Sequence, residues 1–236
     1  MKTNKFLRLL NIVSLMIMVG VAVLPLHAQI PVTGGMDMES SSSITTTSSL
    51  ASFIAQVKNG SAEQITGLYI ENISSFPVIQ QPSDQPAYVS TNADLVTQFS
   101  SASSFGSLGF LAHNNLAGSR FSEIENGDLI SVVFGDGHFI QYQVTQTRIL
   151  QALEPTSTTS SFLDVTDNQK LTAQEVFYQT YGVSDQLVLQ TCISSQGIDS
   201  WGRLFVIAVP STHAPITNTV SIVQSAPRNG NMVGPD

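Results

Sequence analysis

Six short runs rich in β-branched and aromatic residues constrain the fold of this chain more than any other sequence feature. In one of them, Ile140, Tyr142 and Val144 alternate with polar residues, which predicts a strand with one buried and one solvated face. The Gly-Asp-Gly sequence at 135–137 has the chemistry of a hairpin turn. The runs cover residues 64–73, 129–134, 139–145, 187–193, 204–209 and 219–223. Many short strands predict a mainly β domain, either a closed or nearly closed barrel or a sandwich.

Helical signals are confined to three short segments. Residues 172–175 have capping-box spacing, and apolar residues then recur every three or four positions up to Gly182, a suitable C-cap. Residues 53–57 indicate a second helix near the start of the domain, and residues 95–99 indicate a third. We therefore expect a few short helices around the strands.

The N-terminus has the pattern of an export signal. Lys2, Lys5 and Arg8 precede an apolar stretch at 9–26, as a positive n-region precedes a hydrophobic h-region. Ala28 suits a cleavage site, but the stretch also approaches the lower limit for a spanning helix, roughly 17 residues. Both a cleaved signal peptide and a retained membrane anchor remain open. In either case the positive-inside rule predicts that the rest of the chain is extracytoplasmic, anchored or secreted.

The charge balance excludes a nucleic-acid partner. The chain has 17 acidic residues and nine Lys and Arg, and beyond Gln29 it keeps all of the acidic residues but six of the basic ones. The exported part therefore carries a formal charge of −11. Binding to phosphates needs clustered Lys and Arg, which this part of the sequence lacks.

Composition divides the chain into four segments. Residues 1–28 form the signal peptide or N-terminal anchor, and residues 29–60, which contain the tract SSSSITTTSS, form a flexible Ser/Thr-rich spacer. Residues 61–212 hold the β domain, which has enough chain for one packed core. Residues 213–236, rich in Pro, Asn and Gly, form a C-terminal extension.

Cys192 is the single cysteine, so it cannot form an internal disulfide. It is either a buried structural residue or a reactive thiol, and a reactive thiol needs a nearby base or positive charge. The candidate bases are His113, His138 and His213, which the residues alone do not separate. A hairpin between the runs at 187–193 and 204–209 would bring Arg203 towards the thiol; Arg203 paired with a carboxylate is the alternative.

Four blocks resemble, in order, the signature sequences of sortases. They are Phe110–Phe121 (FLAHNNLAGSRF), Glu125–Asp128, Leu189–Cys192 (LQTC) and Trp201–Ala208 (WGRLFVIA). The similarity covers about Gln64 to Val209. Sortases are exported cysteine transpeptidases, so the resemblance implies a closed eight-stranded β-barrel with a few short helices.

The resemblance also implies a role for each matched residue. Cys192 matches the nucleophile, His113 the general acid and base, and Arg203 the residue that stabilises the oxyanion and the substrate. Leu189 and Thr191 match substrate-binding positions on the cysteine strand. The sequence departs from the family pattern in two places. Val188 stands where sortases often have Thr, a change between β-branched residues of similar volume that preserves the strand. The segment around 151–181 is longer than in the simplest members, which bears on the preferred sorting motif.

The implied function is cleavage of a Leu-Pro-Xaa-Thr-Gly (LPxTG) sorting signal through a Cys192 thioester, followed by transfer to an amine. The expected partners are surface proteins that carry a sorting signal, an amine acceptor on the cell surface, and the membrane through the N-terminal segment. One alternative is a cysteine peptidase that uses water as the acceptor. The other is a catalytically silent extracellular binding module.

No cofactor is expected, with calcium as the alternative. Asp164, Thr166, Asn168 and Glu175 have the spacing of a calcium loop, but Gln169 stands where the sharp turn of that loop requires Gly. The spacing is therefore also that of an ordinary polar loop.

Ile30-Pro-Val-Thr-Gly34 resembles the sorting motif itself. It follows an N-terminal apolar segment rather than preceding a C-terminal one, which favours a plain turn after the signal. The alternative is a pseudosubstrate or a self-processing site, for which the spacer is long enough.

Overall fold

A computed structural model describes residues 49–157 and 159–212, which form one sheet of ten strands and four short helical segments. The strands are β1 (Ile65–Ile70), β2 (Ser74–Gln80), β3 (Val96–Gln98), β4 (Leu108–Leu111), β5 (Leu129–Phe134), β6 (Phe139–Ala152), β7 (Phe162–Asp164), β8 (Lys170–Leu171), β9 (Leu187–Ser195) and β10 (Ile198–Pro210). The helices are α1 (Leu50–Val57), α2 (Ser100–Ser103), the 3-10 helix η1 (Ala117–Glu123) and α3 (Ala173–Tyr181). In this part of the chain, no helix has the length and apolarity needed to cross a membrane.

Eight of the strands close into a barrel. The order β10-β9-β4-β3-β2-β1-β5-β6 returns to its start because β6 also pairs with β10, from Tyr142 opposite Pro210 to Gln151 opposite Gly202. Closure removes the exposed sheet edges that an open sheet of this size would leave. The β7–β8 hairpin extends the sheet from the last residues of β6. The predicted mainly β fold, a closed eight-stranded barrel with a few short helices, is confirmed.

Two apolar clusters lie on opposite faces of the barrel wall. Leu187 and Leu189 belong to the cluster inside the barrel, whereas Val188 belongs to an outer cluster with α3. Successive residues of a strand point to opposite faces, so β9 is buried on both sides. Because each fully buried Leu or Val contributes about 1.5–3 kcal/mol, both faces stabilise the fold.

Helix α3 covers the outer face of the barrel beside β9 and β10. Thr172 and Glu175 form the predicted capping box, with the Thr172 N–H donating to Glu175 Oε2 (2.8 Å) and the Glu175 N–H donating to Thr172 Oγ1 (3.2 Å). The helix buries Phe177 and Tyr181, and the Tyr181 ring meets Phe205 of β10 edge to face. The predicted helix is thus confirmed, and it shields the strands that carry the cysteine and the arginine.

Helix α1 belongs to the packed domain. Ser49 caps it, and Phe53 lies over the backbone of Gly67 in β1, where an added Cβ would come within 2.7 Å of the phenyl ring. Part of the proposed spacer at 29–60 is therefore helical and packed, so the domain begins before residue 61. The proposed signal or anchor at 1–28, the Ile30–Gly34 motif and the extension at 213–236 lie outside the described residues, and so does the strand predicted at 219–223.

The prediction of a helix at 95–99 is wrong. Residues Val96–Gln98 form β3, which pairs in parallel with β2, and α2 begins only at Ser100. Val96 and Thr97 are fully buried between neighbouring strands. Pairing with distant strands therefore overrides the local spacing of apolar residues.

Candidate active site

The β9–β10 hairpin places Cys192 opposite Arg203, as the sequence predicted. The two strands are antiparallel, and these two residues are direct cross-strand partners. Alternation along the strands puts both on the outer face, the same face as Val188 and Phe205. Cys192 is 3% exposed and Arg203 is 1% exposed, so the thiol and the guanidinium share a shielded environment.

The segment that bears His113 lies on the other side of β9 from Arg203. Strand β4 pairs in parallel with β9, and Leu111 lies opposite Gln190. His113 follows Leu111 by two residues, as Cys192 follows Gln190. Because alternate residues share a face, His113 and Cys192 occupy neighbouring positions at the same end of the barrel. The topology thus brings the cysteine, the histidine and the arginine together on three adjacent segments.

Burial dominates the electrostatics of the thiol and the guanidinium. Burial raises the pKa of the Cys192 thiol, and the nearby Arg203 charge lowers it in part. Burial likewise lowers the pKa of Arg203, and the Cys192 charge partly offsets that effect. Arg203 also donates from Nη1 to the carbonyl oxygens of Gly202 (2.9 Å) and Ser200 (3.3 Å), which holds the guanidinium against the β9–β10 turn.

Burial also favours the neutral form of the histidine. It lowers the pKa of His113, while a hydrogen bond to the backbone of Val89 raises it in part. An uncharged imidazole is the form that can accept a proton from a thiol. The lowered pKa of His113 and the raised pKa of Cys192 both oppose that transfer, and the Arg203 charge is the group that offsets part of the cost at the thiol.

The other two candidate histidines are not at this site. His138 lies at the start of β6, where its ring contacts Asp136 Oδ1 (2.5 Å) and stacks on Phe134. Arg203 pairs with Leu150, which lies near the opposite end of β6 from His138. His213 lies outside the described residues.

The two predicted substrate-binding positions are buried. Leu189 is fully buried in the barrel core. The Thr191 hydroxyl donates to the carbonyl oxygen of Ala112 (2.9 Å), one residue before His113. In this structure Leu189 packs in the core and Thr191 joins the cysteine strand to the histidine loop, and their contact with substrate stays a prediction.

A pocket of about 470 Å³ reaches Cys192 at the end of the barrel, beside η1. Within the described part of the chain, no charged side chain lines this pocket. The lining residues are Asn114, Gly118, Ser119, Phe121, Ser122, Ile124, Thr147, Ile149, Thr191, Cys192, Ile193, Ser194 and Leu204. The pocket therefore suits an uncharged ligand with both apolar and hydrogen-bonding groups.

Two residues of the proposed calcium loop have other partners. Asp164 accepts hydrogen bonds from Arg148 Nε (2.7 Å) and from the Thr166 N–H (2.9 Å), and Glu175 caps α3. Across residues 49–157 and 159–212, no group of three or more His, Cys, Asp or Glu side chains is placed to hold a metal ion. Calcium binding stays an untested alternative from the sequence.

Sequence reasoning did not single out Asn114 and Ser194. The Asn114 amide donates to Ser194 Oγ (2.8 Å) and to the carbonyl oxygen of Asp199 (3.2 Å). These residues are 80 or more positions apart in the chain, so only the parallel pairing of β4 with β9 could have indicated the contact.

Comparisons with known proteins identify sortase structures as neighbours. No family model matches the sequence, and no curated protein matches it. Sortase A from Listeria monocytogenes is 13% identical, with 62% of this chain and 87% of that chain covered and a TM-score of 0.39. Sortase A from Corynebacterium diphtheriae is 13% identical, with coverages of 65% and 63% and a TM-score of 0.44. Sortase C-1 from Actinomyces oris is 15% identical, with coverages of 69% and 80% and a TM-score of 0.44. At these identities and TM-scores the likeness carries no conclusion about the family, activity or substrate of this chain.

Proposed function

We propose that this protein is an extracytoplasmic, sortase-like cysteine transpeptidase. It would cleave an LPxTG-type sorting signal on a surface protein and transfer that protein to a cell-surface amine. The observation that carries the proposal is the strand register, which sets Cys192 opposite Arg203 and beside the end of the segment that bears His113. A nucleophile, a base and a cation in one shielded site are the groups that acyl transfer through a thioester requires.

In the first step, the His113 imidazole takes the proton of the Cys192 thiol. The thiolate sulfur attacks the carbonyl carbon of the substrate threonine, and Arg203 stabilises the negative charge that develops on the carbonyl oxygen. The C–N bond breaks, and the His113 imidazolium gives its proton to the leaving glycine amine. The products are a thioester on Cys192 and a released peptide with a free amine.

In the second step, an acceptor amine attacks the thioester carbonyl. The C–S bond breaks as the new amide bond forms. His113 takes the proton that the amine loses and returns it to the Cys192 sulfur, so the free thiol is restored. If water attacked instead, the same groups would release a carboxylic acid, which is the peptidase reaction.

The pocket chemistry supports a substrate that is neutral near the scissile bond. Leu, Pro, Thr and Gly of the sorting motif carry no charge, and uncharged side chains line the pocket beside Cys192. A charged side chain would lose hydration there, and the pocket lining itself offers no opposite charge. Arg203 and His113 are not among the lining residues, so the pocket would hold a part of the substrate next to the groups that act on the scissile bond. The membrane link rests on the N-terminal sequence, in which the basic and apolar segments would keep the domain outside the cell.

The burial of Cys192 favours a second candidate, a catalytically silent binding module. A cysteine that is 3% exposed is also typical of a small structural side chain in a core. The two candidates differ in one respect: only the transpeptidase needs the thiol to react with a peptide.

The test is product analysis with the purified full-length protein. An LPxTG peptide is incubated with and without an added amine, alongside the Cys192→Ala variant. The proposal predicts a ligated peptide that requires both the amine and Cys192. Cleavage to the acid regardless of the amine would identify a peptidase, and unchanged LPxTG and IPVTG peptides would favour the binding module.

A further inference from the structure

We propose that Asn114 is the positioning residue that holds the His113 backbone beside the cysteine strand by joining the loop after β4 to the β9–β10 turn. The expected effect on catalysis rests on the proposed function, whereas the contact itself is a feature of the fold. Asn114 follows His113 directly in the sequence, so its anchoring acts on the histidine backbone within one residue.

The contact is a triangle of hydrogen bonds. Asn114 Nδ2 donates both to Ser194 Oγ (2.8 Å) and to the carbonyl oxygen of Asp199 (3.2 Å). Ser194 Oγ in turn donates to the same Asp199 carbonyl (3.1 Å). Ser194 is two residues past Cys192 on β9, and Asp199 belongs to the start of β10, before Arg203. One amide therefore connects the histidine loop to both strands that carry the other two groups.

The backbone before Asn114 is anchored separately. The Ala112 carbonyl accepts from the Thr191 hydroxyl (2.9 Å), and the His113 carbonyl accepts from the Gly118 N–H (3.0 Å). Gly118 is closely packed here, since an added Cβ would lie 2.7 Å from the His113 carbonyl oxygen. These bonds fix the loop on one side of the histidine, and the Asn114 amide fixes it on the other.

The position of the histidine matters because proton transfer depends steeply on geometry. A base must lie within hydrogen-bond reach of the proton it moves, and a displacement of about 1 Å can cost up to roughly 100-fold in rate. Asn114 is half-buried and its bonds are partly solvated, so releasing it should loosen the loop rather than unfold the barrel. We therefore expect a loss of roughly tenfold in kcat. Asn114 also lines the pocket beside Cys192, so a change confined to KM would mean that it contacts the substrate rather than positions the histidine.

The test compares Asn114→Ala and Asn114→Leu with the matched control Asn115→Ala. Leucine keeps the branched shape of asparagine but donates no hydrogen bond, and it adds no charge that would itself shift the His113 pKa. Asn115 is the same residue type one position further on, and it is exposed. The measurements are kcat and KM on an LPxTG peptide, and the titration of His113 followed by NMR of labelled histidine. Both Asn114 variants should lower kcat and move the His113 pKa upwards towards its ordinary value, whereas Asn115→Ala should change neither.

Ser194→Ala provides a second test through a double-mutant cycle. If Asn114 acts through Ser194, the double variant Asn114→Ala/Ser194→Ala should lose less kcat than the product of the two single losses. Losses that multiply fully would contradict the proposed contact.

The inference would be overturned if the Asn114 variants had the same kcat and the same His113 titration as Asn115→Ala. Wild-type protein that turns over no peptide would instead count against the proposed function. In that case the His113 titration and the pH dependence of Cys192 alkylation still decide the inference. Unchanged titration and alkylation in both Asn114 variants would overturn it, and shifted ones would support it.

Discussion

The two faces of the β9–β10 pair are equally buried but differ in chemistry. On the inner face, Leu189 and Val206 are fully buried among other apolar side chains of the barrel. On the outer face, Cys192 and Arg203 are almost as deeply buried, yet each is polar or ionisable. The inner face is stabilised by packing of apolar volume. The outer face holds groups whose burial shifts their pKa values, and such groups are typical of functional sites.

This contrast predicts that inner-face substitutions change stability, whereas outer-face substitutions at this end of the barrel change reactivity.

The largest effect is expected from Leu189→Ala. Truncating a fully buried leucine removes its transfer free energy and leaves a cavity, so the free energy of unfolding should fall by about 3 to 4 kcal/mol. Urea denaturation measures the change, and Leu153→Ala, at a leucine that is 41% exposed, is the matched control. A stable variant with a raised KM would instead give Leu189 the substrate role that the sequence resemblance implied.

The next effect concerns the ion pair that joins the outer layer to the barrel. Arg148 Nε donates to Asp164 (2.7 Å) and its Nη1 to Gln179 of α3 (2.8 Å), so removing Arg148 leaves a largely buried carboxylate without its charged partner. Arg148→Met should lower the free energy of unfolding by about 3 kcal/mol. Glu123→Gln, in the exposed Arg120–Glu123 pair, should change it little.

The same pair predicts a pH dependence. Burial alone would raise the pKa of Asp164, but hydrogen bonds from Thr166 and Arg148 and the Arg148 charge lower it overall. Because the pKa of Asp164 is lower in the folded than in the unfolded state, its ionised carboxylate stabilises the fold. This contribution is complete above the ordinary aspartate pKa of 3.8, and it is lost as the pH falls through the lowered value. Asp164→Asn should flatten the acid limb of a plot of unfolding free energy against pH. An unchanged limb would contradict the assignment.

Arg203→Gln should affect chemistry more than folding. The Arg203 charge lowers the pKa of the Cys192 thiol, against the effect of burial. Without that charge the pKa should rise further, and alkylation of the thiol at a fixed neutral pH should slow. Loss of an oxyanion-stabilising group typically costs about 100-fold or more in kcat. Alkylation kinetics and peptide turnover check the two effects separately. Faster alkylation in the variant would show that Arg203 shields the thiol rather than activating it.

Tyr181→Phe is expected to have the smallest effect. The Tyr181 hydroxyl donates to Gln190 Oε1 (2.8 Å) beneath α3, on the same face as the thiol but outside the proposed reaction. Removing one buried hydrogen bond should cost about 1 kcal/mol in the free energy of unfolding. Peptide turnover should hardly change, and a large loss of kcat would mean that α3 takes part in the site.

The sequence predicted the strands better than their faces. The alternation at 140–144 predicted one buried face, and Tyr142 and Val144 are buried as expected, whereas Ile140 is 41% exposed. The pairing of Arg203 with Cys192 followed from their spacing, because a tight turn joins the two strands. In contrast, residues 187–192 are buried on both sides, so no period-two pattern distinguished the inner from the outer face.

The placement of His113 depended on long-range topology. The parallel pair of β4 and β9 joins segments about eighty residues apart, and nothing local in the sequence selects it. From the residues alone the three histidines were equivalent, and only the family resemblance chose His113. Asn114 was missed for the same reason, since its partners lie on β9 and at the start of β10.

The most direct test of the account is the intact mass of the full-length protein after incubation with an LPxTG peptide and no amine. The account predicts a mass increase equal to the peptide up to its threonine, minus one water, on the wild-type protein and on His138→Ala. Peptide mapping should place it on Cys192, and Cys192→Ala should lack it. No adduct on the wild-type protein, together with a Cys192 that resists alkylation in the folded state, would contradict the account and return the thiol to a structural role.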